Sequence, residues 1–200
     1  MIYDITIPMN PTLAVWPGDT EFAFTSTAWG TISVGALTMS CHTGTHADAP
    51  CHFLPEGIGI AEIPIEIYVG ECVVLDVVGL DEISPEVFGD ADLPPRVLLK
   101  TLAWTDHTCF PNEVPVLAEA SVALLASRGV RLIGLDVPSV DRLQSKDLPI
   151  HHALAAAGIH ILESLDLRQI VPGRYQLIAL PLRLDGADGS PVRAVLTSAT

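Results

Sequence analysis

Residues 42 to 52 read His-Thr-Gly-Thr-His-Ala-Asp-Ala-Pro-Cys-His, gathering His42, His46, Asp48 and His52 in one short stretch, with the Thr45 hydroxyl as a weaker fifth donor. Imidazole nitrogen and carboxylate oxygen suit zinc and similar divalent ions. His46 and Asp48 stand two apart, so an extended backbone aims both side chains the same way. His42 reaches the same point only if the chain turns, and Gly44 tolerates the backbone angles such a turn needs. Pro50 stiffens the approach to His52. The spacing is not HExxH, so the helix-borne arrangement of zinc proteases does not apply. Three nearby ligands leave a coordination position open, which is the catalytic pattern. A divalent ion there can bring the pKa of water down to about 7.

Two distant segments offer further ligands. His151-His152 opens an expected helix, and Glu163 follows a short apolar run. Read locally, the histidines serve equally as a helix cap and Glu163 as a surface charge. Neither segment is decided by its own residues.

Other chemistries lack their groups. There is no GxSxG nucleophile elbow and no Gly-rich phosphate loop. A net charge of −14, with only ten basic residues, argues against nucleic-acid binding, which needs Lys and Arg against phosphates. No apolar run approaches the roughly 20 residues that span a bilayer, and no membrane association is expected. Residues 1 to 8 lack the basic region and apolar core of a signal peptide. Cys41, Cys51, Cys72 and Cys109 form no CxxC pair, so reduced thiols and a cytoplasmic location are expected. Thiolate ligation is not expected, because in an extended segment Cys41 points away from His42.

The elements that must position these groups follow from residue patterns. The 200 residues, 49% of them apolar, fit a single domain spanning 1–200. Trp16-Pro-Gly-Asp19 is a turn. Strands are expected at 22–27, 32–40, 72–78 (a continuous apolar, buried run), 96–101, 131–136, 159–162, 175–180 and 192–196. Helices are expected at 117–128, with Leu117, Ala120, Leu124 and Leu125 on one face, and at 151–157. Gly44 and Pro50 make 42–52 a loop. Strands alternating with short helices give a mixed α/β or α+β fold, with an antiparallel layer from the early strands.

HTGTHADAPCHF resembles the HxGTHxDxPxHF signature of the metal-dependent cyclase family, whose best-understood members are bacterial kynurenine formamidases (arylformamidases). The likeness extends, in family order, through Trp16-Pro-Gly-Asp-Thr20, 64–70, 96–100, 129–136, Ser145-Lys146, His151-His152-Ala153, Ile161-Leu162-Glu163, Leu180-Pro-Leu182 and 190–196. It implies the family's swivelling β/β/α architecture in a homodimer, and two zinc ions per subunit, with manganese or cobalt as alternatives. His42, His46 and Asp48 would hold one ion. His151, twelve residues before Glu163, would hold the second, with Asp48 and Glu163 shared; His152 is not the matched position. His52 would be the general acid/base, and Trp16 would line the substrate pocket. His107 and His160 fall outside the matched positions. The implied reaction is hydrolysis of N-formyl-L-kynurenine in tryptophan degradation. Two rival readings are a related hydrolase opening a cyclic, isatin-type amide, and a non-catalytic metal-binding domain. One departure sits beside the site: Val137 stands where the formamidases carry Thr.

Overall fold

Aliphatic and β-branched runs become strands in a computed structural model that describes residues 1–90 and 92–198. In chain order the elements are β1 (Ile2–Asp4), β2 (Ala23–Trp29), β3 (Ile32–Thr38), β4 (His46–Asp48), β5 (Val69–Asp76), β6 (Glu82–Ile83), β7 (Arg96–Lys100), β8 (Val116–Leu117), helix α1 (Glu119–Ser127), β9 (Leu132–Leu135), helix α2 (Pro149–Ala156), β10 (His160–Glu163), β11 (Gly173–Ile178), β12 (Gly189–Pro191) and β13 (Val195–Ser198). Short 3-10 turns fill several connections, one of them at Pro50–His52.

Nine strands form one mixed sheet in the order β1-β13-β11-β5-β7-β9-β10-β4-β12. Its centre, from β5 through β7 and β9 to β10, is parallel, and antiparallel partners extend it on both sides. Parallel strands covered on both faces need apolar residues throughout. Val97, Leu98, Leu99, Leu132, Ile133 and Leu135 accordingly have no exposed surface. Alternation splits them between two cores. Val97, Leu99 and Ile133 pack with Val122 and Leu125 of α1 and Leu154 of α2. Leu98 and Leu132 pack on the opposite face with Leu162, Leu177 and Leu196. The fold is mixed α/β, as the residue patterns predict.

Several expectations need correction. Leu117 belongs to β8, not to a helix, and α1 buries Ser121, Val122 and Leu125 while Ala120 is exposed. Ser121 can be buried because its hydroxyl donates to the Ile83 carbonyl at 2.7 Å. β5 is not continuously buried: among its residues only Cys72 and Val74 are. The last strand starts at Val195 rather than Val192. The strands β2 and β3 pair only with each other, and both are exposed along their whole length. No helix among the described residues is long and apolar enough to cross a membrane.

Candidate metal centre

The strand β4 lies between β10 and β12, with Glu163 opposite His46 and Gly189 opposite Asp48. Alternation puts His46 and Asp48 on one side of β4, while Ala47 between them joins the core beneath. Gly44 precedes the strand at φ +64°, and its carbonyl accepts the His46 Nδ1 hydrogen at 2.8 Å. His151 arrives from the first turn of α2. Leu148 before that helix (φ +43°) and Ser164 after Glu163 (φ +57°) both take the left-handed conformation. Such strain in non-glycine residues persists only where surrounding structure enforces it.

All five groups named as ligands converge. His46 Nε2 is 3.3 Å from Asp48 Oδ1 and 3.6 Å from Glu163 Oε2. His151 Nε2 is 3.5 Å from Asp48 Oδ2 and 3.6 Å from Glu163 Oε1. His42 Nδ1 is 3.0 Å from Asp48 Oδ1. Donor atoms of His42, His46 and Asp48 lie within 4.8 Å of one another, as do those of Asp48, His151 and Glu163, so Asp48 belongs to both of these triads; His42, His52 and Asp188 form a third, more exposed group. His152 stays outside at the surface.

The donor chemistry fits a cation. His46 Nδ1 donates to Gly44, and His151 Nδ1 donates to Asp141 Oδ2 at 2.7 Å. In neutral rings each Nε2 then aims a lone pair at carboxylate oxygens, which only a proton or a metal ion between them can reconcile. Asp48 and Glu163 are both buried, and their only ion-pair partners among the described residues are histidines. Buried charge without compensation costs several kcal/mol per ion, order-of-magnitude. His42 Nε2 is buried and lacks a hydrogen-bond partner, although Asp188 Oδ2 is 3.3 Å away.

Titration reflects the same excess of negative charge. Burial opposes the charged form of His151, but Asp141, Asp48 and Glu163 outweigh it and raise its pKa to about 10. His42 likewise resists burial through Asp48 and Asp188 and rises to about 9. Burial works against the Asp48 carboxylate as well, yet the three surrounding imidazoles hold it well below the usual range. Burial and the neighbouring Asp48 push Glu163 up. Protons thus gather where a cation would bind.

His52 sits beside this cluster, its ring 4.1 Å from that of His42 and its Nδ1 3.4 Å from Asp188 Oδ2. Burial, then the neighbouring His42, lowers its pKa and favours the neutral imidazole. A cavity of about 470 Å³ opens over His42, His46, His52, His151 and Glu163. Its wall includes Trp16, which meets Phe110 edge-on at 5.3 Å, and Trp104.

Two further residues shape the site without a signal in the sequence. Asp141 Oδ1 and Oδ2 accept the Ile150 and His151 amides, capping α2 while also fixing the His151 ring. Asp188 spans His42 and His52. A capping acid eight residues before its helix carries no local signal. Asp188 is placed by strand pairing, with its carbonyl accepting the Ala49 amide at 2.9 Å. The Thr45 hydroxyl is no metal donor, because it accepts the Ile7 amide and donates to the Ser164 carbonyl. Val137 is wholly buried in the core and does not line the cavity. All four cysteines are free, and none joins a ligand triad among the described residues.

Residues 3–142 match the family model described as putative cyclase. A kynurenine formamidase of Bacillus mycoides (strain KBAB4) is 46% identical over 200 residues, covering 96% of this chain and 95% of that protein. The solved structure of a "predicted metal-dependent hydrolase" from Bacillus stearothermophilus superposes with a TM-score of 0.83 at 31% identity, covering 98% of this chain and 97% of the other. Isatin hydrolase A from Labrenzia aggregata shares the fold, with a TM-score of 0.81 at 24% identity over 100% of this chain and 94% of its own.

Proposed function

Because the chain belongs to the cyclase family, we propose that it is an arylformamidase that hydrolyses N-formyl-L-kynurenine to L-kynurenine and formate in tryptophan degradation. It is a kynurenine formamidase-like hydrolase, at 46% identity along nearly the full length of both chains. The observation that carries the reading is the pair of triads sharing Asp48, buried except for a partly exposed His42, beneath an aromatic-walled cavity.

The residues support a divided labour. His42, His46 and Asp48 would hold one divalent ion, and His151 and Glu163, with Asp48 shared, a second; zinc suits this mixture of imidazole and carboxylate, with manganese or cobalt as alternatives. Bound there, such ions supply Lewis acidity, polarising a carbonyl and acidifying water. His52 acts as general acid/base: with Nδ1 turned to Asp188, its Nε2 is the atom free to take a proton from water and pass it to the leaving aniline nitrogen. A neutral His52 is ready to accept that proton first. Trp16, with Phe110 and Trp104, offers flat apolar surface to the substrate's aryl ring. A formyl carbon has no side chain, so a confined site can refuse larger acyl groups sterically.

Residues 1–200 act as one domain in this reading. The uncharged β2–β3 hairpin supports a homodimer, since Phe24, Trp29, Ile32, Val34 and Leu37 are all more than half exposed. Free thiols at all four cysteines support a cytoplasmic setting.

The test compares catalytic efficiency of the metal-loaded protein on N-formyl-L-kynurenine and on isatin. Higher kcat/KM on the formamide is expected. Preference for isatin moves the assignment to cyclic amides, and no turnover of either with zinc, manganese or cobalt supplied rejects an enzyme of this class.

A further inference from the structure

The cavity wall carries charges that hydrolysis itself does not use. Beyond the ligand cluster, Asp188 is engaged by His42 and His52, which leaves Asp19 and Lys146, one of each sign, as the charged side chains of the described lining that the site does not use. We propose that these two form a clamp for the amino-acid tail of the substrate, Lys146 taking the α-carboxylate and Asp19 the α-ammonium. This inference rests on the formamidase reading and deepens it by naming what selects an aryl formamide bearing a zwitterion.

Neither charge is committed elsewhere. Among the described residues, Lys146 and Asp19 make no ion pair with each other or with any other group. The chain's one other lysine, Lys100, is by contrast spent on fold contacts, donating to the Ile170 carbonyl at 2.7 Å. The Asp19 carboxylate receives only its neighbour's amide, Thr20 N at 2.7 Å, which leaves acceptor capacity for an ammonium.

Both are tied to site residues by local turns. The Asp19 amide donates to the Trp16 carbonyl at 2.9 Å, so Asp19 stands one turn from the indole assigned to the aryl ring. The Leu148 amide donates to Ser145 Oγ at 3.2 Å, holding Lys146 in the turn that leads into α2 and His151. In N-formylkynurenine the amino-acid chain leaves the ring ortho to the formamide. With the formyl group at the metal centre, the tail must therefore lie along the same cavity. An isolated lysine is otherwise a solvated surface charge, and that role would be blind to the substrate's tail.

The experiment uses the metal-loaded enzyme, its Lys146→Met and Asp19→Asn variants, and two substrates: N-formyl-L-kynurenine and formanilide, an aryl formamide without the amino-acid tail. Each substitution should lower the ratio of kcat/KM for N-formyl-L-kynurenine over formanilide about tenfold, as expected for one charge-assisted contact, with the change in KM rather than kcat. Lys146→Arg should restore most of the ratio. Binding of L-kynurenine, read by quenching of tryptophan fluorescence, should weaken in parallel. A ratio unchanged in both variants, or equal losses on both substrates, overturns the clamp. If the unsubstituted enzyme turns over formanilide but not N-formyl-L-kynurenine, the clamp falls while hydrolysis stands. If it turns over neither, the formamidase reading fails and the clamp with it.

Discussion

The Asp141 carboxylate reaches His151 twice, accepting its backbone amide at 3.0 Å and its ring Nδ1 hydrogen at 2.7 Å. One acid thus starts a helix and fixes which imidazole nitrogen faces the ligand cluster. Carboxylates behind metal-bound histidines typically contribute 10- to 100-fold, roughly, to metal affinity. Asp141→Asn is expected to weaken metal binding by about that factor, measured by competition with a chromophoric chelator, while the circular dichroism of the folded chain is kept. Unchanged affinity would show that Asp141 serves only as a cap.

The His52 side chain touches His42 and Asp188 at the cavity edge and is 35% open to solvent. Removing a general acid/base costs about 10²- to 10⁴-fold in rate. His52→Ala should therefore lose kcat on that scale and keep its full metal content by elemental analysis. Metal lost together with rate would make His52 a ligand instead.

Much of this was legible in the chain, for physical reasons that differ by element. β7 and β9 declare themselves because a strand covered on both faces is apolar through its centre, here Val97–Leu99 and Leu132–Leu135. His46 and Asp48 are readable as a pair because extended backbone repeats every two residues. The convergence of His151 and Glu163 on them is not local: it arises from β10 pairing with β4 and from a helix start held by Asp141, so residue types alone left both segments open and only family likeness joined them. The β2–β3 hairpin is legible as an antiparallel pair of strands, but its separation from the main sheet and its exposure along its whole length are not, because they depend on what the rest of the chain covers. The Thr45 hydroxyl looks available as a donor in the sequence, whereas two backbone groups occupy it.

Gly189 opposes Asp48 across β12 and β4, and a Cβ there would meet His42 Cε1 at 2.8 Å and the Ala47 carbonyl at 3.0 Å. The ring of His42 therefore needs a glycine beneath it. Gly189→Ala should cost about 1–3 kcal/mol of stability through overpacking, and displace His42 enough to reduce metal retention on dialysis. Thermal denaturation paired with elemental analysis checks both. Retention equal to that of the unsubstituted chain would remove His42 from the ligand set.

The hairpin's apolar surface predicts self-association. Replacing Trp29, which is 72% exposed, and Ile32, which is 64% exposed, by serine should shift the protein from dimer to monomer in sedimentation velocity. A dimer that survives both changes places the interface elsewhere.

The central claim is tested most directly by stripping the protein with a chelator and titrating zinc back while recording hydrolysis of N-formyl-L-kynurenine. The account predicts an inactive stripped protein whose activity returns as two equivalents bind per chain, and an Asp48→Asn variant that neither binds both equivalents nor regains rate. Full activity after exhaustive chelation, or full metal binding by Asp48→Asn, would contradict it.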